Sequence, residues 1–190
     1  MSSSRLMSRR KQDQGFKWAR VGIAVLSTIG LIDTGSITLN QWGVIGSLSC
    51  PGGIEGCDKV LNSPWGMLIE NNAVSIPLSL AGFLSYLAIL IMSIIPFLPG
   101  IIENKASISR KTWWGLFAIS CCTTVFSFVL LNIMFFKIEA FCFFCVLSAF
   151  LSITILFLSI IGGGWNDPSE LLFRGIIIGL VMLLGGLIWS

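Results

Sequence analysis

The sequence contains no histidine, a single tyrosine and few charges, with Lys, Arg, Asp and Glu making up 11% of its 190 residues. Soluble domains carry roughly 25% charged residues. Against 55% hydrophobic residues, so little charge cannot coat a water-facing surface, and the chain reads as an integral membrane protein. The absence of histidine removes the commonest general base and the commonest metal ligand together. Chemistry must therefore rest on the six cysteines, a few carboxylates and hydroxyls, or a bound cofactor. The net charge of +3 is not a nucleic-acid signature, because half of the Lys and Arg residues lie in the first 20 positions.

That first stretch, with Arg5, Arg9, Arg10, Lys11, Lys17 and Arg20, precedes an apolar run. No clear small-residue cleavage site follows the run, so residues 1–17 read as a basic cytoplasmic tail ahead of an uncleaved span. A span needs about 20 apolar residues. Five runs qualify, at about 18–41, 75–97, 112–136, 138–161 and 171–189, the last being the shortest. Pro77 is tolerable in the first turn of the second run, and Pro96 and Pro99 stop it. Arg174 must snorkel from the fifth. The expected fold is an all-α membrane protein, an antiparallel four-helix bundle with a fifth helix and a long outer loop between helices one and two. Residues 18–190 form one transmembrane domain.

Lys and Arg placement orients it. The first 20 residues carry six, and the 98–111 loop carries Lys105, Arg110 and Lys111, so both the tail and that loop face the cytoplasm. The 42–74 loop carries Lys59 against Glu55, Asp58 and Glu70, and faces a periplasm or lumen with the 136–139 turn.

The cysteines follow this partition. Cys50 and Cys57 lie in the outer loop, and Cys142 and Cys145 lie at the outer start of span four, the oxidising side where disulfides persist. Residues i and i+3 share a helix face, so Cys142 and Cys145 can close a disulfide. At a helix N-terminus, free N–H groups favour the thiolate that attacks disulfides. Cys145 lies one turn deeper and faces the bundle interior, while Cys142 faces the loop. The glycines of CPGGIEGC make the loop pair pliable, which suits a shuttle exchanging mixed disulfides with a soluble partner and with the helix pair. The plainer alternative is a membrane scaffold with two structural disulfides. Zinc held by the four thiols does not suit one loop pair and one helix pair, so no metal is expected. Cys121 and Cys122, inside span three, read as small buried hydrophobes.

The order of Cys50-x6-Cys57, Ser63, Pro64-Trp65-Gly66, then Ser75-Ile76-Pro77-Leu78-Ser79-Leu80-Ala81-Gly82 and the CFFCVLSA run at 142–149 resembles the vitamin K epoxide reductase family, in its bacterial and cyanobacterial branch. The resemblance implies a four-helix bundle around a quinone near the outer surface, in a bacterial inner membrane or a thylakoid. It implies that Cys142 and Cys145 are the active-site pair, with Cys145 beside the quinone. It further implies that Cys50 and Cys57 are the shuttle pair and that Ser63 is the family's loop Ser/Thr. A quinone of the ubiquinone, menaquinone, phylloquinone or plastoquinone type and a thioredoxin-like partner follow from it. That partner is a separate protein or a C-terminal domain that would begin where this chain ends, at Ser190. Two departures from the animal enzymes, Ala149 in place of a Tyr and Leu78 in place of an Asn, favour quinone reduction coupled to disulfide formation. Reduction of vitamin K or its epoxide by thiols is the alternative.

For the quinone slot, Phe141, Phe143, Phe144, Trp65, Phe83 and Phe126 are candidate walls. The small residues Ser148, Ala149, Ser79 and Gly82 leave room for a ring. Asp33 is the one acid well inside a span. It either aids proton delivery or hydrogen-bonds to Thr34, Ser36 or a neighbouring helix.

Overall fold

The computed structural model of the chain describes residues 2–45, 59–60, 67–71, 74–97, 105–139, 141–163 and 168–189. Five long helices dominate: α1 (Ser2–Gln41), α2 (Leu78–Ile94), α3 (Lys105–Ile133), α4 (Phe143–Gly162) and α5 (Pro168–Trp189). Among the described residues, four segments are long and apolar enough to cross a membrane: Lys17–Gln41, Leu78–Phe97, Ser109–Ile138 and Phe143–Gly162. The architecture is an all-α membrane bundle. Helix α1 packs on α2 and α4, α3 packs on α4 and α5, and α2 meets α3 more thinly. α5 thus lies outside a closed ring of four.

In hydrocarbon every polar group must find a partner within the protein. Helix α1 is rich in hydroxyls and turns them onto its own carbonyls one turn back. Ser27 donates to the Ile23 carbonyl at 2.6 Å, Thr34 to Gly30 at 2.7 Å and Thr38 to Thr34 at 2.8 Å. Between α3 and α4, hydroxyls pair across the interface, Ser120 with Ser159 at 3.3 Å and Ser127 with Ser152 at 3.4 Å.

One end of the bundle is closed by packing. Ala19, Ile23, Ile89, Trp113, Leu116, Leu151 and Ile155 form its buried core. Gly162 has no room for a side chain, since an added Cβ would come within 2.5 Å of both Ala19 Cβ and Trp113 Cη2. Arg20 is buried here. Its guanidinium donates to the carbonyls of Met92 (3.3 Å) and Ser109 (3.1 Å) and to Thr112 Oγ1 (3.0 Å), and lies 4.4 Å from the Trp113 ring centroid. One side chain thereby ties together α1, α2 and α3. On α5, Arg174 pairs with Glu170 at 2.6 Å and lies 4.5 Å from the Trp114 ring centroid.

Two helices start later than the hydropathy reading places them. Residues 75–77 do not begin the second span. The strand β2 (Val74–Pro77) pairs antiparallel with β1 (Met67–Asn71), matching Glu70 with Ser75 and Ile69 with Ile76, so part of the inter-helix loop is a hairpin. Pro77 has no N–H to donate and sits extended (φ −71°, ψ 145°) as the cap of α2. The fourth span begins at Phe143 rather than at 138. The end of α3 widens into a π-helical turn at Met134–Ile138, and Glu139 takes a left-handed conformation (φ 50°, ψ 39°) that reverses the chain.

Candidate active site

The other end of the bundle is hollow. After Glu139 the chain enters α4 through Cys142, whose extended backbone (φ −112°, ψ 111°) makes it the helix cap. Its carbonyl accepts the first helical hydrogen bond, from the Val146 N–H at 3.2 Å. Cys145 stands one turn on, and its Sγ lies 2.9 Å from Cys142 Sγ, with both thiols free. The pair is therefore within reach of disulfide closure on one helix face, and Cys145 is the donor toward Cys142.

The two sulfurs have different surroundings. Cys142 is fully buried against Met134 of the π-helical turn, with Val60 of the α1–α2 connection packed on the same cluster. It precedes the membrane span, and its thiol is held below its ordinary value. The largest cause is the contact from Cys145, and the backbone N–H groups of Phe144 and Cys145 act in the same direction against the cost of burial. Cys145 instead opens into a cavity of about 370 Å³.

Helices α1 to α4 all line this cavity, and Met182 of α5 completes it. Phe126, Leu130, Leu131, Ile37 and Phe144 supply apolar walls. Polar atoms converge at two places. Thr38 Oγ1 lies 2.9 Å from Ser79 Oγ, and Ser79 donates on to Gln41 Oε1 at 2.8 Å. Tyr86 Oη donates to the Ser148 carbonyl at 2.8 Å and lies 3.1 Å from Ser148 Oγ. The tyrosine ring fits because residue 30 is glycine; a Cβ there would sit 2.6 Å from the ring.

The expected site residues are distributed as follows. Ser79, Gly82, Phe144, Cys145 and Ser148 line the cavity, as does Phe126. Ala149 is buried but lies outside the lining. Phe141 and Phe143 are exposed, and Phe83 is not part of the wall. Asp33 is buried beside the cavity rather than in it. The expected hydrogen bonds from Asp33 to Thr34 or Ser36 are not made, because both hydroxyls go to carbonyls of their own helix. Cys50, Cys57, Ser63 and Trp65 lie outside the described residues.

Tyr86, Gln41 and Cys122 line the cavity without having been picked out as lining from the sequence. The signal for Tyr86 was present: it follows Ser79 by seven and Gly82 by four, the spacing of one helix face. Cys122 stands one turn before Phe126 on the same face, whereas Cys121 turns toward α5, its Sγ 3.8 Å from the Gly175 carbonyl oxygen.

A comparison with protein-family models matches residues 21–160 to the vitamin K epoxide reductase family. The chain belongs to that family. The match takes in α1 through most of α4 and so includes the cysteine pair and the four helices around the cavity. Membership places the chain among multi-pass membrane oxidoreductases associated with quinones and thioredoxin-like proteins. No curated protein gives a match to the chain.

The cavity suits a quinone. Its volume lies within the usual range of about 300–1,000 Å³ for small-molecule sites, which combine apolar walls with a few placed polar groups. A thiol opens directly into it at Cys145, with a helix-cap thiol behind, and the Tyr86–Ser148 and Ser79–Gln41 pairs supply hydrogen-bonding groups for carbonyl oxygens. Among the described residues no cluster of Cys, Asp or Glu is arranged to hold a metal.

Proposed function

We propose that the protein is a quinone-dependent thiol-disulfide oxidoreductase that supports disulfide-bond formation. The observation that carries this reading is the position of Cys145: it opens into an apolar cavity while its sulfur touches the helix-cap sulfur of Cys142.

The path for electrons runs through two cysteine pairs. A thioredoxin-like partner reduces the Cys50–Cys57 disulfide and leaves oxidised. The loop dithiol then attacks Cys142 of the Cys142–Cys145 disulfide, so that the loop disulfide re-forms and the helix pair becomes a dithiol. Val60 packs beside Cys142. Cys57 precedes Val60 by three positions in the chain, a covalent reach of at most about 11 Å. Oxidation of Cys142 and Cys145 back to the disulfide releases two electrons, with the protons that the reduced site holds. A quinone, when bound, supplies the two-electron, two-proton acceptor. Tyr86 with Ser148 and Ser79 with Gln41 would hold it, Phe126 and Phe144 would supply apolar wall, and the apolar lining keeps bulk water from the sulfur. The charge pattern puts the N-terminus in the cytoplasm and the redox cysteines on a periplasmic or lumenal side.

The test uses purified protein, a reduced thioredoxin-like protein and a soluble quinone, with quinone absorbance followed over time and vitamin K epoxide run beside it. Turnover of the quinone that Cys142→Ala and Cys145→Ala each abolish is the expected result. Folded protein that turns over no quinone, with both disulfides resistant to mild reduction, would sink the reading in favour of structural cross-links.

A further inference from the structure

Asp33 is the acid the electron path leaves unused. It lies in the membrane-spanning part of α1 and is 6% exposed, and neither carboxylate oxygen has a hydrogen-bond partner among the described residues. No salt bridge involves it there. The buried cation of the same helix, Arg20, is 13 residues away, roughly 20 Å along the axis, and is engaged at the other end of the bundle. Asp33 stands one turn after Gly30, against which the Tyr86 ring packs, and next to Thr34, which lines the cavity together with Tyr86, Cys145 and Ser148. Among the described residues the titratable groups on this side are Tyr86 of α2, Cys145 of α4 and the cap residue Cys142. These are the two elements packed against α1.

An unpaired carboxylate in such a place is costly, and a carboxylate beside a thiolate costs more. The reduced cysteine pair is arranged to hold one negative charge. Cys145 donates its proton toward Cys142 Sγ at 2.9 Å, and Cys142 caps the helix N-terminus. With that charge on sulfur, Asp33 is neutral. Once the disulfide forms, the sulfurs are uncharged, and the like-charge repulsion that opposed an anion on Asp33 is gone.

We infer that Asp33 stores the proton that the reduced Cys142–Cys145 pair lacks, and releases it when the pair closes into its disulfide. The balance is complete. The reduced site, a Cys142 thiolate with a Cys145 thiol and a protonated Asp33, loses two electrons and two protons and becomes a disulfide with an Asp33 carboxylate. The S–S bond forms and the Cys145 S–H and Asp33 O–H bonds break. The site carries one negative charge before and after. The electrons and protons go to a two-electron oxidant, the quinone in the reading above or an oxidised dithiol in the test below. This inference rests on that reading only in taking Cys142 and Cys145 as a redox pair.

The test needs no quinone. The full-length protein is equilibrated with dithiol–disulfide buffers from neutral to alkaline pH, and closure of the Cys142–Cys145 pair is read by alkylation and mass spectrometry of that peptide. The wild-type protein is expected to lose two protons per two electrons even where Cys142 is already a thiolate. Once the two protons taken up by the buffer couple itself are allowed for, that is a fall of about 59 mV per pH unit in the midpoint potential of the pair. Asp33→Asn is expected to fall there to one proton and half the slope, and Asp33→Glu to keep two. A second readout, on the wild-type protein alone, is infrared difference spectroscopy, in which a protonated carboxyl band should disappear on oxidation. An unchanged slope in Asp33→Asn, or no carboxyl change in the wild type, would overturn the inference and leave the redox pair standing. A pair that never closes would overturn the functional reading as well.

Discussion

The two ends of the bundle use the same kinds of residue for opposite purposes. At the Arg20 end a buried charge has its donors spread over Met92, Ser109 and Thr112, and Gly162 brings α4 against Ala19 and Trp113. At the cysteine end a buried charge-bearing group, Asp33, has no hydrogen-bond partner among the described residues, Glu139 is left-handed, and α3 ends in a wider π-helical turn. A cavity of about 370 Å³ takes the place of a core. Polar groups left unsatisfied and backbone held in sparse conformations are destabilising, and they persist where the surrounding structure over-determines them. The contrast teaches that the packed end supplies stability and the hollow end uses it to hold reactive groups in place. Tyr86 marks the boundary, with its ring in the buried core and its hydroxyl on Ser148 at the cavity.

The largest expected test of this contrast is Arg20→Ala. It removes a buried charged donor and leaves several acceptors unpaired, at a cost of about 3 kcal/mol. Denaturant unfolding should show that loss, while the Cys142–Cys145 equilibrium of the folded fraction stays as in the wild type. A redox change of similar size would mean that the ends are not separable.

Next in size is Ala81→Phe, which puts a ring into the cavity from α2. Quinone affinity should fall about tenfold, or roughly 1.4 kcal/mol, with a smaller loss of stability than Arg20→Ala. Saturation kinetics against quinone concentration, beside a thermal melt, reads both.

The third concerns pH. The Cys142 thiol lies below its ordinary value chiefly through its contact with Cys145, so its thiolate forms as pH rises through a midpoint under the usual value of about 8.5. Thiolate ultraviolet absorbance, with Cys142→Ala as the blank, should show that midpoint. In Cys145→Ala the midpoint should move up, because the donor is gone.

The smallest effect is expected from Glu139→Gly. Glycine accepts φ 50° without the clash of a Cβ, so stability should rise by about 0.5–1 kcal/mol in a thermal melt. A fall would mean that the Glu139 side chain contributes more than its backbone strain costs.

Much of this was legible in the chain because membranes impose strong rules. Runs of about 20 apolar residues have few folded options in lipid, so the helices of the bundle could be located. The wall residues were harder. Phe126 and Phe144 line the cavity but Phe83, Phe141 and Phe143 do not; an aromatic residue on a membrane helix is equally at home facing lipid, and composition does not distinguish the two. Residues 75–77 read as the start of a helix because they lead into an apolar run, yet pair as a strand because a preceding segment is there to match them.

The sequence by itself determined that the protein lives in a membrane, that no imidazole is available to its chemistry, and that Cys142 and Cys145 share one helix face. These properties depend on composition and on local spacing. Only the tertiary structure decided that Cys145 opens into a cavity while Cys142 is buried, that Tyr86 reaches Ser148, and that Asp33 is buried with no hydrogen-bond partner among the described residues. Each of those depends on the rotation and depth of one helix against another, and these are set by contacts between residues far apart in the chain.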